Sequence, residues 1–196
     1  MLLIALLLAG AGQNITAIME KAADDFRAGR FSSAVQGFDR AALLAPAEAP
    51  FMWQRGIAQY YAGQFRECAR MFASHRTVNP DDVENAAWHF LCVARAESAE
   101  AARGRLLPVG TDSRAPMREI YQLFQGRATT AQVLKASGSN ARAQFYARLY
   151  IGLYLEVTGD RDAGRAQLEI AAEPRYAEAG GYMHDVARVH VMTGEK

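Results

Sequence analysis

The sequence predicts an all-α fold, a solenoid of antiparallel helix hairpins. Ala fills 38 of the 196 positions while Val, Ile and Thr together fill 24, so helix formers dominate and strand formers are scarce. The chain also matches itself at an offset of 34 residues, and the matches fall on apolar and small residues at helical spacing. Each matched unit breaks at a glycine and closes at a proline, the punctuation of two helices joined by a tight turn. With 51% hydrophobic residues the chain can build one domain with a real core.

The first unit spans about 15–48 and the second about 49–82. Ala28-Gly29-Arg30-Phe31 aligns with Ala62-Gly63-Gln64-Phe65, and at the same offset Phe26 meets Tyr60, Phe38 meets Phe72 and Pro46 meets Pro80. Small residues at 22, 34, 56 and 68 let helix backbones approach, and the aromatics fill the spaces between. Asp82 is placed to cap a helix through Ala86, Trp88, Leu91 and Cys92. The repeat then degrades over 83–138. Glu97 stands where a turn glycine belongs, 109–115 reads as a linker or long loop, Pro116 opens a helix closed by Gly126, and Thr129 or Thr130 caps a short one. The period returns in 145–178, with Gly152 at a close-approach position, Gly159-Asp160 at the turn, and Leu168 and Ala171 on the second helix. Residues 179–194 form a helix expected to cap the open end of the solenoid.

The first eleven residues, with an apolar run from Leu2 to Ala9 and the small-x-small site Ala9-Gly10-Ala11, read as a short signal peptide cleaved after Ala11. The alternative is the first turns of an apolar helix packed on the domain. The run is too short to span a bilayer, and no Cys follows it to carry a lipid anchor. The expected location is periplasmic or secreted, with the cytoplasm as alternative. Outside the cytoplasm Cys68 and Cys92 could pair, although small buried thiols are the commoner use of helical Cys.

A 34-residue period carried by Gly56, Gly63, Phe65, Cys68, Phe72 and Pro80 resembles the tetratricopeptide repeat (TPR). Two good units, a WHFLCVAR helix, an irregular middle containing MREIYQLFQG and then QFYARLYIGLYLEVTGD are similar to the bacterial envelope lipoproteins of the new lipoprotein I family (NlpI) over most of 15–178. That resemblance implies a helical-repeat adaptor that docks envelope proteases and cell-wall hydrolases, often as a homodimer.

Chemistry finds less support. A net charge of +1 gives no electrostatic footprint for nucleic acid. The four histidines, His75, His89, His184 and His190, are scattered, no HExxH is present, and the His184-Asp185 pair lacks the further ligands a metal phosphohydrolase needs. No catalytic residue, metal or cofactor is therefore expected. Tyr146, Tyr150 and Tyr154, at four-residue spacing, read as packing, as does Trp88-His89. The expected function is binding of other proteins along the first helices of the units, in a groove formed by Met19, Phe26, Trp53, Ile57, Tyr60, Glu84 and Leu91. In chaperone-binding members of the repeat family a basic and Asn clamp holds a terminal carboxylate. The corresponding positions here, Met19, Ala23, Gln54, Glu84 and Trp88, hold no basic residue, which disfavours a carboxylate terminus as ligand. The alternative function is a self-associating homodimeric scaffold without a peptide ligand.

Overall fold

The structure, a computed structural model, describes the backbone of residues 2–194 and the side chains of residues 14–194. Among them are twelve α-helices and no strand: α1 (Leu2–Arg27), α2 (Phe31–Leu44), α3 (Trp53–Tyr61), α4 (Phe65–His75), α5 (Val83–Ala96), α6 (Ala99–Gly104), α7 (Met117–Phe124), α8 (Thr130–Ser137), α9 (Ala141–Thr158), α10 (Arg161–Ala171), α11 (Ala177–Gly180) and α12 (Tyr182–Thr193). From α1 to α6 each helix packs on the one before it, as in an α-solenoid. The predicted all-α class is what the chain adopts. The expected signal segment, 1–11, lies outside the residues whose side chains are described. No helix among the described residues is long and apolar enough to cross a membrane.

The breaks have local causes. Gly29, Gly63 and Gly159 follow the ends of α1, α3 and α9 with φ of 73°, 76° and 108°. At Gly63 an added Cβ would meet nothing within 4 Å, so the turn needs glycine for its backbone conformation alone. Asp82 accepts from the Glu84 N–H at the start of α5. Thr129 and Gln132 form a reciprocal capping box on α8. Asn140 caps Ala143, which starts α9 four residues ahead of the expected unit boundary.

One large core runs through the helices, with Phe26, Phe38, Phe72, Trp88, Phe90, Phe124, Phe145 and Tyr150 fully enclosed, beside a small separate cluster of Ala41, Ala42 and Met52. The crossing of α9 on α10 is a close one. A Cβ on Gly152 would stand 2.5 Å from Leu168 Cγ and 2.9 Å from the Gly164 carbonyl, so both glycines are needed for the two backbones to meet. Cys68 of α4 and Cys92 of α5 are joined by a disulfide, with Cα atoms 5.8 Å apart. Buried free thiols, the commoner expectation, are not what the fold contains.

Two segments depart from the sequence reading. The stretch expected as a linker is fastened to the start of α5: Gly110 N–H donates to Pro80 O, Thr111 N–H to Asp81, and Val83 N–H to Asp112. The last helix, expected only to cap the array, packs on α10 and also reaches back to α1. There Arg27 Nε donates to Asp185 Oδ2 at 2.8 Å, and the Tyr182 ring lies 5.8 Å from Phe26 and 5.2 Å from Trp53. First and last helices are thus in contact. The cause is in α12 itself, which buries Met183, His184, Val186, Ala187, Val189 and His190 and so needs neighbours on more than one side.

Candidate functional site

Where α12 folds back, it leaves a cavity of about 660 Å³ between itself, α11 and the starts of α3, α5 and α9. That volume is within the range of ligand sites, roughly 300 to 1,000 Å³. Trp53, Phe72, Trp88, Tyr146 and Tyr182 give it aromatic walls. They are fixed by one another: Trp53 meets Tyr182 edge to face, and Phe72 stacks on Trp88 at 6.1 Å.

Of its charged groups, Asp82 and Glu84 belong to a network around Arg114, while Arg142 and Glu178 line it outside that network. The Arg114 guanidinium donates to Asp82 Oδ1, Glu84 Oε1 and Asp112 Oδ2 at 2.6 to 2.7 Å. Tyr150 O–H donates to the other Glu84 oxygen at 2.8 Å, and Asn79 donates to Asp82 Oδ2. Burial, with Asp82 beside it, pushes the Glu84 carboxyl up to about 7 despite Arg114. At Asp112 burial works in the same direction, but hydrogen bonds from Arg114 and the Val83 N–H outweigh it and hold the carboxyl below its usual range.

Three polar groups around the cavity have no partner: Asn85 Oδ1, Trp88 Nε1 and Tyr182 OH. Asn85 and Trp88 are 3% and 2% exposed, so water is almost wholly excluded from both side chains. A buried donor or acceptor left unmade costs on the order of 1 to 3 kcal/mol. These atoms are sealed from solvent behind the cavity surface, as are the unpartnered Gln59 Oε1, His89 Nδ1 and Arg148 Nε elsewhere in the fold.

Of the seven expected groove residues, only Trp53 and Glu84 line the cavity. Phe26, Ile57, Tyr60 and Leu91 are corrected: all four are buried in the core, and of them only Tyr60 borders a cleft, the smaller one beside Tyr61 and His190. Tyr60 lies two turns from Trp53 on α3, but its ring is enclosed by Tyr61, Phe65 and Trp88. Met19 is partly buried against the core and does not border the cavity. Trp88 and Tyr146, read as packing, are packed and also face the cavity. Asn85 carried a signal that sequence could have used, a polar amide three residues before Trp88 and so on the same face of α5.

Among the described residues no three His, Cys, Asp or Glu side chains are grouped to hold a metal ion. Each histidine has its own surroundings. His75 Nδ1 is bonded to Pro50 O at 2.7 Å, and His184 Nε2 contacts the carbonyls of Ala172 and Glu173. His190 lies between Tyr61 and Glu156. His89, with Nδ1 unpartnered, is pushed down to about 4 by burial and by Arg105. No protein-family model matches this chain, and no curated protein is significantly similar to it.

Proposed function

We propose that the chain is a non-enzymatic adaptor of TPR type that receives a segment of another protein in the cavity between α5 and α12. The observation that carries this reading is the aromatic cavity itself, walled by Trp53, Phe72, Trp88, Tyr146 and Tyr182. Aromatic anchors dominate the energetics of protein interfaces, and a hollow lined by them needs an occupant to gain from it. The hairpin array, the 34-residue period and the glycine turns support the repeat assignment and the likeness to the envelope lipoproteins. The disulfide between α4 and α5 supports a place of action outside the cytoplasm, periplasmic or secreted, where such bonds persist. Envelope proteases and cell-wall hydrolases are the partners that likeness suggests.

The test is capture of envelope proteins by the purified chain, followed by mass spectrometry. Trp53→Ala is expected to weaken capture of a specific partner by about 2 kcal/mol, roughly 30-fold, with helical circular dichroism unchanged. Retained capture by a folded Trp53→Ala chain would remove the cavity from the reading.

Self-association is the second reading, favoured by one observation: Leu43, 82% exposed, and Leu44 stand together in solvent at the end of α2. A concentration-dependent dimer in sedimentation, lost in Leu43→Glu, would support the scaffold; a monomer at all concentrations would exclude it.

A further inference from the structure

The helices α4 and α5 run antiparallel, and their facing residues form a ladder. Arg95 lies over the Phe65 ring at 4.9 Å, Cys68 is bonded to Cys92, and Phe72 stacks on Trp88 at 6.1 Å with the ring planes 14° apart. Successive rungs are three or four residues apart on each helix, so they follow one face of α4 and one face of α5. The ladder ends in the two hollows. Phe72 and Trp88, with His75 and Asn85 one turn further on, line the large cavity, and Phe65 and Arg95 line a smaller cleft. The disulfide is the rung between them, one turn from a wall of each.

Cys68 and Cys92 are both 0% exposed, with Cα atoms 5.8 Å apart. A ring stack slides at little cost, whereas a disulfide fixes both the separation and the register of the helices that carry it. Two unbonded sulfur atoms need more room than two bonded ones, so without the bond α4 and α5 must part or turn at this rung. Phe72 and Trp88 form the next rung and move with them. We infer that the cavity is competent to bind only in the oxidised chain, because the Cys68–Cys92 bond sets the α4–α5 spacing on which the Phe72–Trp88 wall depends. Capture is thereby confined, on the partner-binding reading above, to chains that have folded where disulfides form.

The bond is made by thiol–disulfide exchange with a disulfide-bearing oxidant. One Cys thiolate attacks the carrier disulfide and releases a thiol, and the other Cys thiolate then displaces the remaining carrier sulfur. The two Cys thiols are oxidised and the carrier disulfide is reduced to two thiols. In the folded protein neither sulfur meets solvent, so an attacking thiolate reaches it only after α4 and α5 open. The bond is a one-way latch, closed during folding and shielded afterwards.

The test compares the oxidised full chain with Cys68→Ser combined with Cys92→Ser, read by nitrogen-15 signals of the indole and histidine rings. Trp88 and His75 lie on the ladder, and His184, held by the carbonyls of Ala172 and Glu173, lies off it. The variant is expected to keep its helical circular dichroism, to shift Trp88 and His75, and to leave His184 in place. Capture of a partner that binds the oxidised chain should fall by about tenfold or more. Dithiothreitol should reduce the oxidised chain far more slowly in buffer than in urea, and equal rates would remove the latch. An unmoved Trp88 signal overturns the inference whatever capture does, and so does an equal shift at His184. If the serine chain does not fold, Cys68→Ala with Cys92→Val, which keeps the rung apolar, replaces it. Loss of folding in both would mean that the bond holds the whole chain and not the cavity, and overturns the inference too. If the variant captures as well as the oxidised chain although Trp53→Ala abolishes capture, the redox coupling fails and the adaptor reading stands. If Trp88 and His75 shift as expected while neither chain captures a protein, the adaptor reading fails and the coupling of bond to cavity stands.

Discussion

The two halves of α12 lie against the same array of helices and are finished differently. At its carboxy-terminal half, His190 Nε2 donates to Glu156 at 2.8 Å and Nδ1 accepts from the Tyr61 hydroxyl at 2.9 Å, which ties α12 to α9 and α3 together. A cleft of about 330 Å³ opens beside this end, yet the Tyr61 and His190 groups that border it are already bonded to each other. At the amino-terminal half, Tyr182, Trp88 and Asn85 border a hollow twice that size, and behind its surface Asn85 Oδ1, Trp88 Nε1 and Tyr182 OH are sealed without partners. Burial is similar at the two ends, with His190 5% exposed and Asn85 3%. The two ends, a joint and a hollow, therefore differ in whether their buried polar atoms have been satisfied.

The comparison breaks first at the joint. His190→Leu leaves the nearly buried Glu156 carboxylate and the Tyr61 hydroxyl without partners, and is expected to cost about 3 to 5 kcal/mol in urea denaturation. A loss below about 1 kcal/mol would mean that packing rather than pairing seals this end, and the contrast between the halves would disappear.

The second effect is in pH, and it compares α5 residues on and off the cavity. Glu84 is raised in the folded state, so its contribution is full below the ordinary carboxyl value of 4.5 and is lost as pH rises toward 7. His89 is lowered, so its contribution is full above 6.5 and is lost as pH falls toward 4. The slopes oppose each other between about 4.5 and 6.5 and largely cancel. Asp25, lowered by its hydrogen bonds from Lys21 and Arg30, acts only below its ordinary value of 3.8 and does not enter this window. Glu84→Gln should expose a stability that falls toward acid, and His89→Phe one that falls toward neutrality, each by about 2 to 3 kcal/mol across the window. Parallel pH profiles for the two variants would contradict the assignment.

Gly164→Ala tests how the joint is positioned. The new Cβ would stand 2.8 Å from Glu156 Cγ and 2.8 Å from the Gly152 carbonyl, so α10 must move off α9, and α12, which packs on α10, carries His190 away from Glu156. About 1 to 3 kcal/mol is expected, and combination with His190→Leu should cost less than the sum, since both act on one contact.

Most of this architecture was legible because local rules and the global fold agree in it. The hairpins of α1 to α4 were fixed by a period, the turns by glycines that alone adopt positive φ, and α5 and α8 by capping residues with only one plausible role. Two features were not legible. The segment around Asp112 and Arg114 has loop composition, and nothing in spacing says that its charges fasten it to Asp82 and Glu84 across some thirty residues. The helix α12 is apolar on several sides, so its periodicity could not say which neighbours it would meet. The site inherits that ambiguity. Trp53 and Glu84 could be read from the repeat, but Tyr182 enters the cavity only because α12 returns to α1. The same return encloses Trp88 and Asn85, whose unmade bonds are a property of the assembled wall.

The smallest effect has the opposite sign and sharpens the comparison most. Asn85→Leu replaces a buried amide lacking a partner for its oxygen with an apolar side chain of similar volume. If the amide oxygen is held there without a bond in the free protein, the variant should be more stable by about 1 kcal/mol, because a desolvation cost is removed and no hydrogen bond to Oδ1 is lost. Applied at the joint, the same reasoning gives the reverse, since every polar group there is paired. A chain that melts at higher temperature as Asn85→Leu and at lower temperature as His190→Leu would show that a buried polar atom costs stability where it is unpaired and supplies it where it is paired. A destabilised Asn85→Leu chain would instead mean that the amide serves the fold through its packing or its nitrogen.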